Sequence, residues 1–154
     1  TIHFFKELKQ GTPSDAANLL IEAVTASDVP QPENPPKNTI DGIVADTSRW
    51  SATGDNVWIQ YDLGSIKTVD YLSMATAFGD TRSLVFKVST SKDGEHWNLV
   101  YDGMASGTTC DLETYPLKTS EARYVRIYGS GSSVSAWTSI TEVKLFSRNN
   151  TVNN

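Results

Sequence analysis

The chain has 154 residues, 38% hydrophobic and 20% charged, enough to bury a core in one globular unit without a disulfide or metal, so a wholly disordered chain is excluded. Its net charge of −5 opposes phosphate backbones and anionic membrane surfaces, which argues against nucleic acid and membrane partners. Cys110 is the only cysteine, so no intramolecular disulfide can form, and no apolar run approaches the ~20 residues that span a bilayer.

Aromatic residues and short bursts of Val, Ile and Thr favour strands over helices. In residues 1–18, Ile2, Phe5 and Leu8 have loose helical spacing that Gly11-Thr12-Pro13-Ser14-Asp15 breaks, which reads as a linker or a piece of a neighbouring domain. Residues 19–148 read as one module and 149–154 as a tail. A first strand is expected over 20–26. The next stretch carries Pro30, Pro32, Pro35 and Pro36, which cannot donate to a ladder, so an ordered surface loop is expected.

Residues 57–63 alternate Val57, Ile59, Tyr61 and Leu63 with polar or outward positions, and Gly64 is expected to end that strand. A second strand is expected over 68–77. Leu84, Phe86 and Val88 alternate along a third, and Ser91-Lys92-Asp93-Gly94 turns it into Trp97, Leu99 and Tyr101 as a hairpin. Further strands are expected over 108–112, 123–128 and 140–146. Cys110 is expected as a small apolar residue within one of them. With no βαβ rhythm and no internal repeat, the fold class is all-β: an antiparallel β-sandwich, a jelly roll.

Catalytic chemistry finds little support. His3 and His96 are the only histidines, and His96 follows a turn where a solvated role is expected. No GxSxG elbow, HExxH pair or P-loop occurs, and no local motif nominates a matched pair of carboxylates. Asp41-Gly42 followed by Asp46, Thr47 and Ser48 supplies hard oxygen ligands suited to Ca²⁺, or equally a polar turn whose side chains cap their own backbone.

The runs Asn38-Thr39-Ile40-Asp41-Gly42, Ser48-Arg49-Trp50, Trp58-Ile59-Gln60-Tyr61-Asp62-Leu63-Gly64, Ser91-Lys92-Asp93-Gly94, Ala122-Arg123-Tyr124-Val125-Arg126-Ile127 and Ser139-Ile140-Thr141-Glu142-Val143 resemble the discoidin-like domains, in order, over about 20–147. More closely, the chain resembles carbohydrate-binding module family 32. Gly79-Asp80-Thr81-Arg82 and Trp137-Thr138-Ser139 are similar to the subgroup attached to alginate lyases and related polysaccharide lyases.

That resemblance implies a jelly roll with one structural Ca²⁺, a sugar site in the loops at one end, no catalysis, and a secreted bacterial setting with a tethered catalytic domain. The implied ion would be held by the Asp41 side chain, Ser48 and Glu142, with carbonyls near Asn38, Asp46 and Thr141. Asp41 and Trp50 stand further apart than is common in the family, which places Asp46 at odds with that pattern. The sugar-site candidates are Trp50, Phe78, Asp80, Arg82, Ser130, Ser132, Ser133 and Trp137. Sugars need an aromatic platform beside planar donors, and Trp137, after a Gly- and Ser-rich loop, is the expected platform. Arg82 can bind a uronate carboxylate bidentately, or pair with Asp80. Trp58 and Trp97 are expected to cover the sheet. The expected ligand is alginate or its unsaturated oligosaccharides, bound by a monomer. Neutral galactose-type or amino-sugar glycans, or an adhesion role, are the alternatives.

Overall fold

Two strands of 20 residues each, shared between two layers, set the architecture. The computed structural model describes residues 16–148. In chain order the elements are β1 (Ala16–Asn18), β2 (Ala23–Ala26), a short 3-10 helix (Pro36–Ile40), β3 (Trp50–Thr53), β4 (Val57–Thr76), β5 (Leu84–Ser91), β6 (Asn98–Met104), β7 (Glu113–Ser132) and β8 (Trp137–Arg148).

Every strand pairing is antiparallel. The first half of β4 pairs with β2 and with the second half of β7, which continues through β5 to β6. The second half of β4 pairs with the first half of β7 and with β8, whose other edge carries β1 and β3. The fold is therefore the expected sandwich, with β4 and β7 passing from one layer to the other.

β4 turns the corner where its register with β7 shifts between Asp62 and Lys67. Gly64 there has φ +82, a left-handed conformation that side chains disfavour. The Asp62 carboxylate fastens the corner: it accepts Gly64 N–H at 2.8 Å and the Arg123 Nε and Nη2 donors of β7 at 2.9 and 3.2 Å. Those bonds, Arg123 first, hold the Asp62 carboxyl below the usual carboxylate range.

Alternation explains the core. Ile59, Tyr61 and Leu63 point inward from one layer, and Leu72, Met74 and Leu145 meet them within the same buried cluster. The 3-10 helix packs against this core, where the Thr39 and Tyr61 hydroxyls share a buried hydrogen bond of 2.8 Å. On the outer face of the first layer, the Arg126 guanidinium lies 3.9 Å from the Trp58 ring centroid and 4.4 Å from that of Trp97. The two indoles thus cover the sheet, as expected.

Several expectations are corrected. Gly64 does not end a strand, and the segments expected over 57–63 and 68–77 are one strand bent at that residue. The strand expected over 20–26 contracts to Ala23–Ala26. Ala16–Asn18, read as linker, pair with Arg148–Phe146; the rest of 1–18 and all of 149–154 lie outside the described residues. Residues 108–112 form bends, because Ser106 and Thr109 hydroxyls accept the backbone N–H groups of Thr108 and Asp111 that a ladder would need. Cys110 accordingly sits half-buried in a loop and not in a strand.

Candidate functional site

The loops joining the layers gather at one end of the sandwich. Asn56 N–H reaches Ser130 Oγ at 3.5 Å and Ser83 N–H reaches Ser133 Oγ at 3.2 Å. A Cβ on Gly79 would lie 2.4 Å from the Thr109 carbonyl, so the 79–82 turn can close against the 105–112 loop only with glycine there.

Within this end lies a cleft of about 200 Å³ walled by Gln31, Arg49, Phe78, Arg82 and Trp137 and floored by Ser51 and Ser139. Its geometry follows from β3 and β8. Their register pairs Ser51 with Ser139 and Thr53 with Trp137, and the two serine hydroxyls bond at 2.8 Å. Arg49 is braced by Ser51 Oγ at 3.0 Å and the Asp46 carbonyl at 2.8 Å.

Phe78 has φ +57, a conformation costly for a residue with a side chain. Asp46 Oδ1 accepts its N–H at 3.0 Å, and its carbonyl accepts the N–H groups of Thr81 and Arg82, both at 3.0 Å. This tight turn sets the Arg82 guanidinium 4.7 Å from the Phe78 ring centroid. Among the described residues no carboxylate pairs with Arg49 or Arg82. Two cations and two aromatic side chains therefore face one opening with charge available to a ligand.

The sequence candidates divide. Phe78, Arg82 and Trp137 meet at the cleft, and Ser132 lies beside Arg82 and Trp137 in an adjoining crevice. Trp50 does not reach a ligand surface: it is 0% exposed in the core, and its Nε1 donates to the Asp28 carbonyl at 2.9 Å. Ser130 and Ser133 use their hydroxyls to tie loops together, and exposed Asp80 is bonded to Cys110, whose thiol is pushed upward overall. Sequence reading missed Arg49, Gln31 and the two floor serines. Strand alternation was the available signal, because an inward Trp50 places Arg49 and Ser51 outward.

A second cluster joins the Asp41 turn to β8. Both Glu142 oxygens accept Gly42 N–H at 3.2 Å, and Asp41 accepts Ile43 N–H at 2.8 Å and a short bond from the Ser48 hydroxyl. Burial, reinforced by the Asp41 carboxylate and opposed by Gly42, pushes the Glu142 carboxyl up to about 7. Thr141 Oγ1 is buried without a hydrogen-bond partner. Two crowded carboxylates and a hydroxyl make an all-oxygen donor set that fits a hard divalent cation. Asp46 and Asn38 turn their side chains elsewhere: Asp46 to Phe78, and Asn38 Nδ2 to the Arg49 carbonyl at 3.1 Å. Among the described residues no cluster of three or more His, Cys, Asp or Glu occurs, so an ion here would draw on hydroxyls and carbonyls as well.

A bent-strand jelly roll with an aromatic, arginine-flanked cleft at its loop tips is a carbohydrate-binding module of discoidin-like form. Residues 23–143 match the F5/8 type C domain, and the chain belongs to that family. The solved CBM32 of AlyQ in complex with 4,5-unsaturated mannuronic acid is 44% identical with a TM-score of 0.80, the match covering 84% of this chain and 98% of that one. Truncated AlyQ with CBM32 and alginate lyase domains is 43% identical with a TM-score of 0.82, covering 86% of this chain but only 34% of that one. A pectin-binding carbohydrate-binding module is 27% identical with a TM-score of 0.76, covering 82% of this chain and 91% of that one. No curated protein matches the chain.

Proposed function

We propose that this module binds alginate, taking a mannuronate residue or its unsaturated form in the loop-tip cleft, and directs a tethered polysaccharide lyase to its substrate outside a bacterial cell. The observation that carries this is the pair of arginines, Arg49 and Arg82, flanking one aromatic-walled cleft without carboxylate partners among the described residues. A uronate offers a carboxylate for such a pair and apolar C–H faces for Phe78 and Trp137. The complex of the AlyQ module with an unsaturated mannuronic acid supports the same ligand class. Binding without turnover would serve a tethered enzyme by raising local substrate concentration.

We further propose that Ca²⁺ occupies the cluster at Asp41, Ser48 and Glu142. When bound, the ion supplies positive charge between carboxylates that otherwise repel. Asp41 and Glu142 would then clip the first loop to the last strand, so the ion's binding energy becomes folding energy.

Isothermal titration with mannuronate and guluronate oligomers tests the ligand class. Saturable heat with uronates is expected; binding to galactose or N-acetylglucosamine without uronate binding would overturn it.

A further inference from the structure

A larger concavity lies away from the loop-tip cleft. β6 is the last strand of one layer, and the first half of β7 is the last strand of the other. Between their edges, unpaired among the described residues, runs a groove of about 600 Å³ lined by Tyr101, Met104, Ser106, Glu113, Tyr115 and Pro116. That volume is within the range of small-ligand sites.

The groove is two-sided in chemistry. Tyr101 stacks on Phe86 at 5.2 Å, and Tyr115 meets both rings edge-on at 5.0 and 5.5 Å, giving a packed aromatic wall. A Cβ on Gly103 would stand 3.1 Å from the Tyr101 hydroxyl, so the missing side chain lets that ring lie back along its own strand. Against this wall sits Glu113, 6% exposed. Its Oε1 accepts Ser106 N–H at 3.1 Å and the Tyr115 hydroxyl at 2.8 Å. Among the described residues, Oε2 accepts no hydrogen bond and the Tyr101 hydroxyl makes none. Burial and the Glu113 charge both push the Tyr101 hydroxyl upward, placing it within the field of that carboxylate.

We propose that this groove is a second saccharide site, which takes a neutral or amino sugar through its hydroxyl or ammonium donors and rejects uronates. A pyranose has the matching duality, apolar C–H faces for Tyr101 and donors for Glu113 Oε2. A purely apolar segment would leave those polar groups unpaired, which is costly once water is excluded. A uronate would bring a second carboxylate against Glu113, and among the described residues no cation lines the groove to neutralise it. The groove would therefore select neutral or cationic sugars over anionic ones, and this inference does not rest on the alginate reading of the loop tips.

Amide chemical shifts of the full chain, recorded with cellobiose, a glucosamine disaccharide and a mannuronate trisaccharide in turn, test it. Cellobiose and the glucosamine disaccharide are expected to shift the amides of 101–106 and 113–115 saturably at millimolar concentration, while the mannuronate trisaccharide leaves them in place. Met104→Trp, at an exposed lip of the groove, should fill it and weaken the first two responses at least tenfold. Glu113→Gln should weaken the glucosamine disaccharide more than cellobiose. Groove amides that respond to neither neutral nor amino sugar, that respond equally to mannuronate, or that move with protein concentration alone would each overturn the proposal.

Discussion

Arg82 and Arg49 do different work in the same cleft. Arg49 is held by Ser51 Oγ and the Asp46 carbonyl, whereas Arg82 leans on the Phe78 ring and, among the described residues, its guanidinium makes no hydrogen bond. Charge-assisted hydrogen bonds contribute about 1.5–3 kcal/mol, so Arg82→Ala should weaken mannuronate oligomers by roughly 10-fold to 100-fold in titration calorimetry. Arg82→Lys should recover part of that loss, because a point charge replaces the fork. Glu142 supplies a prediction of a different kind. Its folded carboxyl stands at about 7, above its ordinary value, so the native state holds a proton that the unfolded chain releases earlier. With chelator present, the stability from this group is full below the ordinary glutamate range and is lost as pH rises to about 7. Melting temperatures from pH 4.5 to 8 should show that decline, and Glu142→Gln or added Ca²⁺ should flatten it; a decline of the same size in both would reject the assignment. At this scale residue type alone singled out Arg82, Phe78 and Trp137, which the fold brings to one cleft. It misled at Trp50, where an aromatic beside a polar loop was open to two readings until strand register settled which face it occupied.

Gly64 shows the same limit for a whole element. Glycine after an alternating run reads as a stop, yet here it is the pivot that carries β4 from one layer into the other. Pairing is a nonlocal property: the continuation depends on β7 and β8 lying alongside the second half of β4, which no local pattern reports. The hairpin of β5 and β6 was legible for the converse reason, because its turn and both alternating strands are contiguous in sequence. A side chain at position 64 would be strained at φ +82, and a Cβ there would stand 2.5 Å from the Glu22 carboxylate. Left-handed backbone costs about 1–2 kcal/mol for a residue with a side chain, so Gly64→Ala should lower the melting temperature by roughly 2–8 °C. The Glu22 carboxylate is the far end of a flexible side chain and can swing aside, so adding Glu22→Ala removes a cheap clash and leaves the strain. Calorimetric melts of the single and double variants should therefore agree to within a small fraction of the shift; full recovery in the double variant would mean the corner tolerates any residue.

Across the whole molecule, the local and the summed charge oppose one another. The chain carries a net −5, while the cleft that faces solvent at the loop tips is flanked by two arginines without carboxylate partners among the described residues. A single uronate meets mainly the local cations, at contact distances much shorter than the ~10 Å screening length in 0.1 M salt. A long oligouronate extends beyond the cleft into the field of the remaining surface, where like charge repels it and added salt screens the repulsion. Affinity for a monosaccharide should therefore fall gently with salt, and affinity for long oligomers should fall less or rise. Titrations of uronates of increasing length across a salt series measure both slopes. A salt dependence that steepens downward with oligomer length would mean that an extended basic track, and not one cleft, holds the polymer.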